Sequence, residues 1–221
     1  MKQWYDRYES QCWYTNTFLV NEFSQISRVD RRNGEWNNIE GSGCHFVCLS
    51  MIIGINPGYL ATTLKNLKFF RADPDPRLRA RKLNGETGYL VWDQNCPCKK
   101  YPLISIKNIN HPLKGMVNIK IKFLKIEEEK SVEQAALLIK GNRKQGYHII
   151  CGYDDHSRLV AGVKNGHYFL WDPDLTKTDI SKNISGEYSL DWFYDLYKND
   201  KEYRNKAAEY WIYSVDMKKN A

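Results

Sequence analysis

Gly41-Ser42-Gly43-Cys44-His45-Phe46-Val47-Cys48-Leu49-Ser50-Met51-Ile52-Ile53-Gly54 is the stretch on which the fold turns. Phe46, Val47, Leu49, Met51, Ile52 and Ile53 cover most faces of a helix, and a helix that is apolar nearly all round is one that other elements bury. The Gly-Ser-Gly run supplies a flexible entry and Gly54 a stop. The apolar run from Phe46 to Ile55 is interrupted by Ser50 and Gly54 and falls far short of the roughly 20 residues that cross a bilayer. A core helix with a cysteine at its first turn is the expected result. Asn56 and Pro57 then suit the cap and first position of a second helix through Leu60, Leu64 and Leu67.

Downstream the texture changes. Residues 71–112 carry Asp-Pro-Asp-Pro, Asn-Gly, Cys-Pro-Cys and His-Pro punctuation, which predicts mostly loop with one short apolar piece at Tyr89 to Trp92. Alternation from Met116 to Phe123 predicts a half-buried strand. Ser131 and Gln134 have capping-box spacing at the start of a helix, and Gly141 is a plausible end. Tyr147 to Tyr153, Arg158 to Lys164 and His167 to Trp171 then read as three antiparallel strands, with Asp154-Asp155-His156-Ser157 at the first turn and the hairpin pair Asn165-Gly166 at the second. A helix through Leu190, Phe193, Leu196 and Tyr197 and a strand from Tyr210 to Val215 follow.

Helices first and antiparallel strands later predict an α+β layout, not alternating βαβ units. The 221 residues are expected to form one domain. Its parts would be an N-terminal embellishment over 1–40, a helical part over 41–70, a loop-rich insertion over 71–112 and a sheet part over 113–221. An apolar fraction of 42% excludes wholesale disorder. The net charge of +7 is spread along the chain instead of gathered into a block, which argues against a nucleic-acid partner. The N-terminus lacks the apolar core of a secretory signal. The six cysteines fall in helix and strand patterns, so reduced thiols and a cytoplasmic location are the default, with signal-independent export left open.

A thiol in the first turn of a helix meets unpaired N–H groups and the positive end of the dipole, both of which favour thiolate. Cys44 is therefore the candidate nucleophile, with its own N–H as one oxyanion donor. Of the five histidines, His148 is the expected base, because it opens an apolar strand that could anchor the ring at a cleft. His45 should diverge around the helix, His156 and His167 read as turn or hairpin residues, and His111 precedes a proline. Asp172, ending an aromatic strand before Pro173, is the expected carboxylate that orients the base. The alternative for each is structural: a buried inert cysteine, or an aspartate that starts a turn.

These islands, Gly-Ser-Gly-Cys44, Gly-Tyr-His148-Ile-Ile-Cys-Gly-Tyr-Asp and Trp-Asp172-Pro, together resemble the papain-like C39 family peptidases over roughly residues 36 to 175. The resemblance implies a papain-like fold, with the nucleophile on a helical part packed against an antiparallel sheet carrying His and Asp. It implies a cysteine peptidase or amidase acting on a protein or peptide through a thioester, without cofactor or metal. It also implies an oxyanion amide six residues before the cysteine, where this chain has Asn38 in place of the family's glutamine; Asn37 is the fallback. An acyltransferase or transglutaminase-like enzyme uses the same groups with another acceptor, and an inactive papain-like binding domain would keep the fold without the chemistry. A zinc site of Cys44, Cys48, Cys96 and Cys98 is disfavoured by the single-residue Cys-Pro-Cys spacing. Oligomeric state is left open by the sequence.

Overall fold

A computed structural model describes residues 44–55, 59–60, 63, 70–72, 86–90, 103–153, 156–173 and 187–220. Cys44–Ile53 forms helix α1, as the apolar pattern requires, and Gly54 ends it at φ 68° with its N–H bonded to the Ser50 carbonyl. Phe70–Ala72 (β1) and Glu86–Leu90 (β2) pair as a separate ribbon. The main sheet comprises Leu103–His111 (β3), Gly115–Glu129 (β4), His148–Tyr153 (β5), His156–Lys164 (β6), His167–Trp171 (β7), Glu187–Ser189 (β8) and Ala208–Lys219 (β9). Its seven strands run in the order β3-β4-β9-β5-β6-β7-β8 with every neighbouring pair antiparallel. Helix α2, Val132–Lys144, connects β4 to β5, and helix α3, Leu190–Lys198, follows β8.

The chain is α+β, and its sheet is covered on both faces. On one face α1 packs with Ile104, Ile119, Ile150, Leu159 and Tyr213 in one buried cluster. On the other, Ile139 of α2 and Phe193 of α3 cluster with Ile149, Cys151, Leu170 and Ile212. All six residues of β5 are buried, with Ile150 in the first cluster and Ile149, Cys151 and Tyr153 in the second. Each apolar side chain so enclosed contributes about 1.5–3 kcal/mol against its conformational cost, and this double cover holds β5 and its neighbour β6 in place.

Local sequence explains most boundaries. Ser131 caps α2 by accepting the Gln134 N–H, as its spacing predicts. Gly141 does not end that helix; it lies within it, and the chain leaves the helix at Gln145 before Gly146 at φ 79°. Asn165 and Gly166, at φ 51° and 85°, form the expected hairpin turn of two left-handed residues between β6 and β7. Two expectations need correction. Residues 103–111, placed in a loop-rich insertion, form β3. The alternation of Ile104 and Ile106 is broken before Ile109 by an irregularity around Asn108, at φ 55°, which hides the strand pattern. His156 and Ser157, expected in the turn after β5, already belong to β6.

The 1–40 segment lies outside the described residues, as do Asn37, Asn38 and Gly41 to Gly43. Among the described residues no helix is long and apolar enough to cross a membrane.

Candidate active site

The site forms where the ends of three elements meet: the start of α1, the start of β6 and the end of β7. Leu159 is level with Trp171 in the β6–β7 ladder, so the residues just beyond, Arg158 and Asp172, come side by side. The Arg158 Nε–H donates to Asp172 Oδ2 at 2.8 Å, and both side chains are buried. His156, two residues earlier on the same strand and therefore on the same face, donates from Nε2 to Asp172 Oδ1 at 2.7 Å. With Nε2 so engaged, Nδ1 is left for the Cys44 thiol, to which His156 is also hydrogen-bonded.

Cys44, His156 and Asp172 thus form one hydrogen-bonded chain. Burial pushes the Cys44 thiol up, but the bond and charge of His156 and two bonds from Ser157 outweigh it, and the thiol titrates below its ordinary value. Burial pushes His156 down, whereas the Asp172 bond, the Cys44 bond and the Asp172 charge together raise it to about 9. Opposite shifts of this kind favour a thiolate facing an imidazolium. Arg158 supports the carboxylate from behind: its Nη1 donates to the Tyr197 hydroxyl at 3.0 Å, and its guanidinium lies 5.6 Å from the Phe193 ring centre and 5.8 Å from that of Tyr197.

His148 is not brought into this chain, and strand geometry gives the reason. It opens β5 opposite Tyr213, on the face occupied by α1. The β5 residue level with Asp172 is Cys151, paired with Arg158. His148 is three residues, about 10 Å, below that level, two strand spacings away and on the other face. A residue that opens a strand meets the residue that closes the next strand, whereas Asp172 closes the strand after that. His148 is buried, and burial, with the charge of Arg143 adding to it, pushes its imidazole down to about 3. It is therefore a neutral core histidine.

The remaining histidines also have structural positions. His111 Nδ1 accepts the Leu113 N–H in the β3–β4 turn, and His167 pairs with Asp191 on the surface. His45 lies edge-on against Trp211 with ring centres 4.8 Å apart, and its Nδ1 is 3.3 Å from the Ser157 hydroxyl. Cys48 is buried one turn behind Cys44 and, like Cys44 and Cys151, is a free thiol. Among the described residues no group of three or more His, Cys, Asp or Glu is placed to hold a metal ion; Cys96 and Cys98 fall outside them.

His156, Ser157 and Arg158 were not expected from sequence, yet a signal for them exists. His156 precedes Asp172 by 16 residues, with Asn165-Gly166 near the middle of that interval, so one hairpin brings its two ends together. Close approach at this corner also explains Gly152. A Cβ there would lie 2.2 Å from the His156 carbonyl oxygen and 3.0 Å from the Ser157 Cα, and backbone atoms cannot rotate aside. Gly152→Ala should destabilise the fold by about 1–3 kcal/mol and also lower Cys44 reactivity, because relief of the clash moves His156; denaturation midpoints and alkylation rates measured together check this.

The raised His156 value has a further consequence. A group held at about 9 when folded and near 6.5 when unfolded adds stability that is full below pH 6.5 and fades as pH rises to 9. In a Cys44→Ala background, which removes the thiol's own titration and its bond to the imidazole but keeps the Asp172 bond, unfolding free energy should still fall as pH rises above 6.5, over a narrower window than in the parent chain. With His156→Gln added, this dependence should flatten.

No known protein family, curated protein or solved structure matches the chain.

Proposed function

We propose that the chain is a papain-like cysteine peptidase or amidase, with Cys44 as nucleophile, His156 as acid and base, and Asp172 orienting the imidazole. The observation that carries this reading is the continuous chain of hydrogen bonds from Cys44 through His156 to Asp172, in which thiol and imidazole are shifted toward the ion pair. A nucleophile, its base and the group that orients the base are the three parts that thiol acyl transfer requires.

The Cys44 thiolate attacks the carbonyl of a peptide or amide and forms a tetrahedral oxyanion. The Cys44 N–H, at the start of α1, and the Asn38 amide are the candidate donors to that charge. His156 passes its proton to the leaving amine, and the oxyanion collapses to a thioester. His156, now neutral, takes a proton from water, the hydroxide displaces Cys44, and acid and thiolate are regenerated. The Asp172 carboxylate holds Nε2–H throughout, which keeps Nδ1 directed at the sulfur.

The test is trapping of the acyl-enzyme. With p-nitrophenyl acetate, a burst of nitrophenol should accompany an acetyl group on Cys44 that hydroxylamine removes. Acetylation that spares Cys44, or that proceeds at the same rate in His156→Ala, contradicts the reading.

A further inference from the structure

We propose that Ser157 is a second group that holds the Cys44 thiolate, its hydroxyl directed at the sulfur by a hydrogen-bonded relay that runs from Tyr213 through His45. The proposal rests on the reading of Cys44 as nucleophile and adds an arm independent of His156 and Asp172.

Ser157 lies against the first turn of α1, where its carbonyl takes the Cys48 thiol at 3.7 Å, and both its hydroxyl and its backbone N–H act to hold the Cys44 thiol down. The same hydroxyl lies 3.3 Å from His45 Nδ1, and His45 Nε2 lies 2.5 Å from the Tyr213 hydroxyl. Sequence separations of 112 and 168 residues show that α1, β6 and β9 must all be in register for this chain to form.

The direction of each bond follows from proton counting. A thiolate only accepts, so the single Ser157 hydroxyl hydrogen goes to sulfur. The Ser157 oxygen then accepts from His45, which requires the proton on Nδ1. His45 is neutral, burial having pushed it down to about 3, so Nε2 carries a lone pair and accepts from the Tyr213 hydroxyl. Tyr213 is fully buried, and Trp211 packs edge-on against the His45 ring, so neither residue is free to turn away. The relay therefore presents a fixed donor to the sulfur without placing a second cation beside His156.

The titratable and charged groups around the sulfur are His156 and Arg158 on β6, Asp172 after β7, His45 and Cys48 on α1 and Tyr213 on β9. Cys48, whose thiol donates to the Ser157 carbonyl and is pushed well up by burial, stays protonated. Among these, Tyr213 and His45 reach the sulfur through Ser157.

The experiment is the pH profile of iodoacetamide alkylation at Cys44, located by fragment-ion mass spectrometry, in the full chain and in Ser157→Ala, Ser157→Thr, Tyr213→Phe and His156→Ala. Loss of one hydrogen bond to a charged acceptor should move the Ser157→Ala midpoint up by about one pH unit, which below the midpoint is about tenfold less thiolate. Ser157→Thr, which keeps the hydroxyl, should restore the profile. Tyr213→Phe, which keeps the ring, should shift it in the same direction by less. A Ser157→Ala profile superimposable on the parent, or an unchanged Tyr213→Phe profile, overturns the relay. The His156→Ala arm separates the two ideas: a shift there without one in Ser157→Ala keeps the triad and removes the relay. A shift in Ser157→Ala alone keeps the relay and removes His156 as partner.

Discussion

His156→Ala should lower Cys44 alkylation at pH 6 by about a hundredfold, while His148→Ala leaves it within a few fold. Without the imidazolium, Cys44 becomes a partly buried thiol, and an ordinary thiol titrating near 8.5 is only about 0.3% thiolate at pH 6. Hydrolytic turnover should fall further, by about 10² to 10⁴, because general acid and base are lost together. His148→Ala instead removes a buried ring that opens β5, so its effect should appear in thermal stability. The pair of variants assigns the base by experiment. Equal losses of reactivity, or a larger loss in His148→Ala, would reverse the assignment.

The second large effect concerns the carboxylate. Asp172 bonds two cationic side chains at once, and Arg158 is as buried as Asp172 itself. In Asp172→Ala the guanidinium keeps the Tyr197 hydroxyl and loses its counter-charge, which should cost about 3–5 kcal/mol. For a chain of this size that corresponds to a fall in melting temperature of roughly 10 °C or more. His156 should lose its elevated titration at the same time, since the Asp172 bond is the largest influence raising it. Arg158→Met placed on top of Asp172→Ala removes the stranded charge and should recover much of the stability, because a buried ion pair replaced by apolar groups is often neutral. Cys44 reactivity should stay low in the double variant. Calorimetry and alkylation therefore separate the structural role of the Arg158–Asp172 pair from its role in orienting His156.

These two sites also show what the sequence makes legible. The helix from Cys44 to Ile53, the Ser131 cap and the Asn165-Gly166 hairpin depend on local pattern, and local pattern reveals them. Asp172 at a strand end was visible for the same reason. The base was not, because choosing between His148 and His156 is a question of which strand ends coincide. Asp154-Asp155 looks like the start of a longer turn, so His156 reads as loop until the tight corner at Gly152 is known. Counting strands supplies the missing constraint: one hairpin separates His156 from Asp172, and an extra strand separates His148 from it. Strand β3 was obscured differently, by an irregularity at Asn108 that shifts alternation by one residue. Ser157 and His45 carry no sequence signal for a relay, since their meeting depends on the packing of α1 against β6 and β9.

The most direct measurement is an NMR titration of the His156 ring in the free protein. The account predicts an imidazolium at pH 7 to 8 that loses its proton near 9, with the titration moving when Cys44 is alkylated or replaced by alanine, because the thiol bond is then gone. A His156 ring that titrates near 6.5 and does not respond to changes at Cys44 would contradict it.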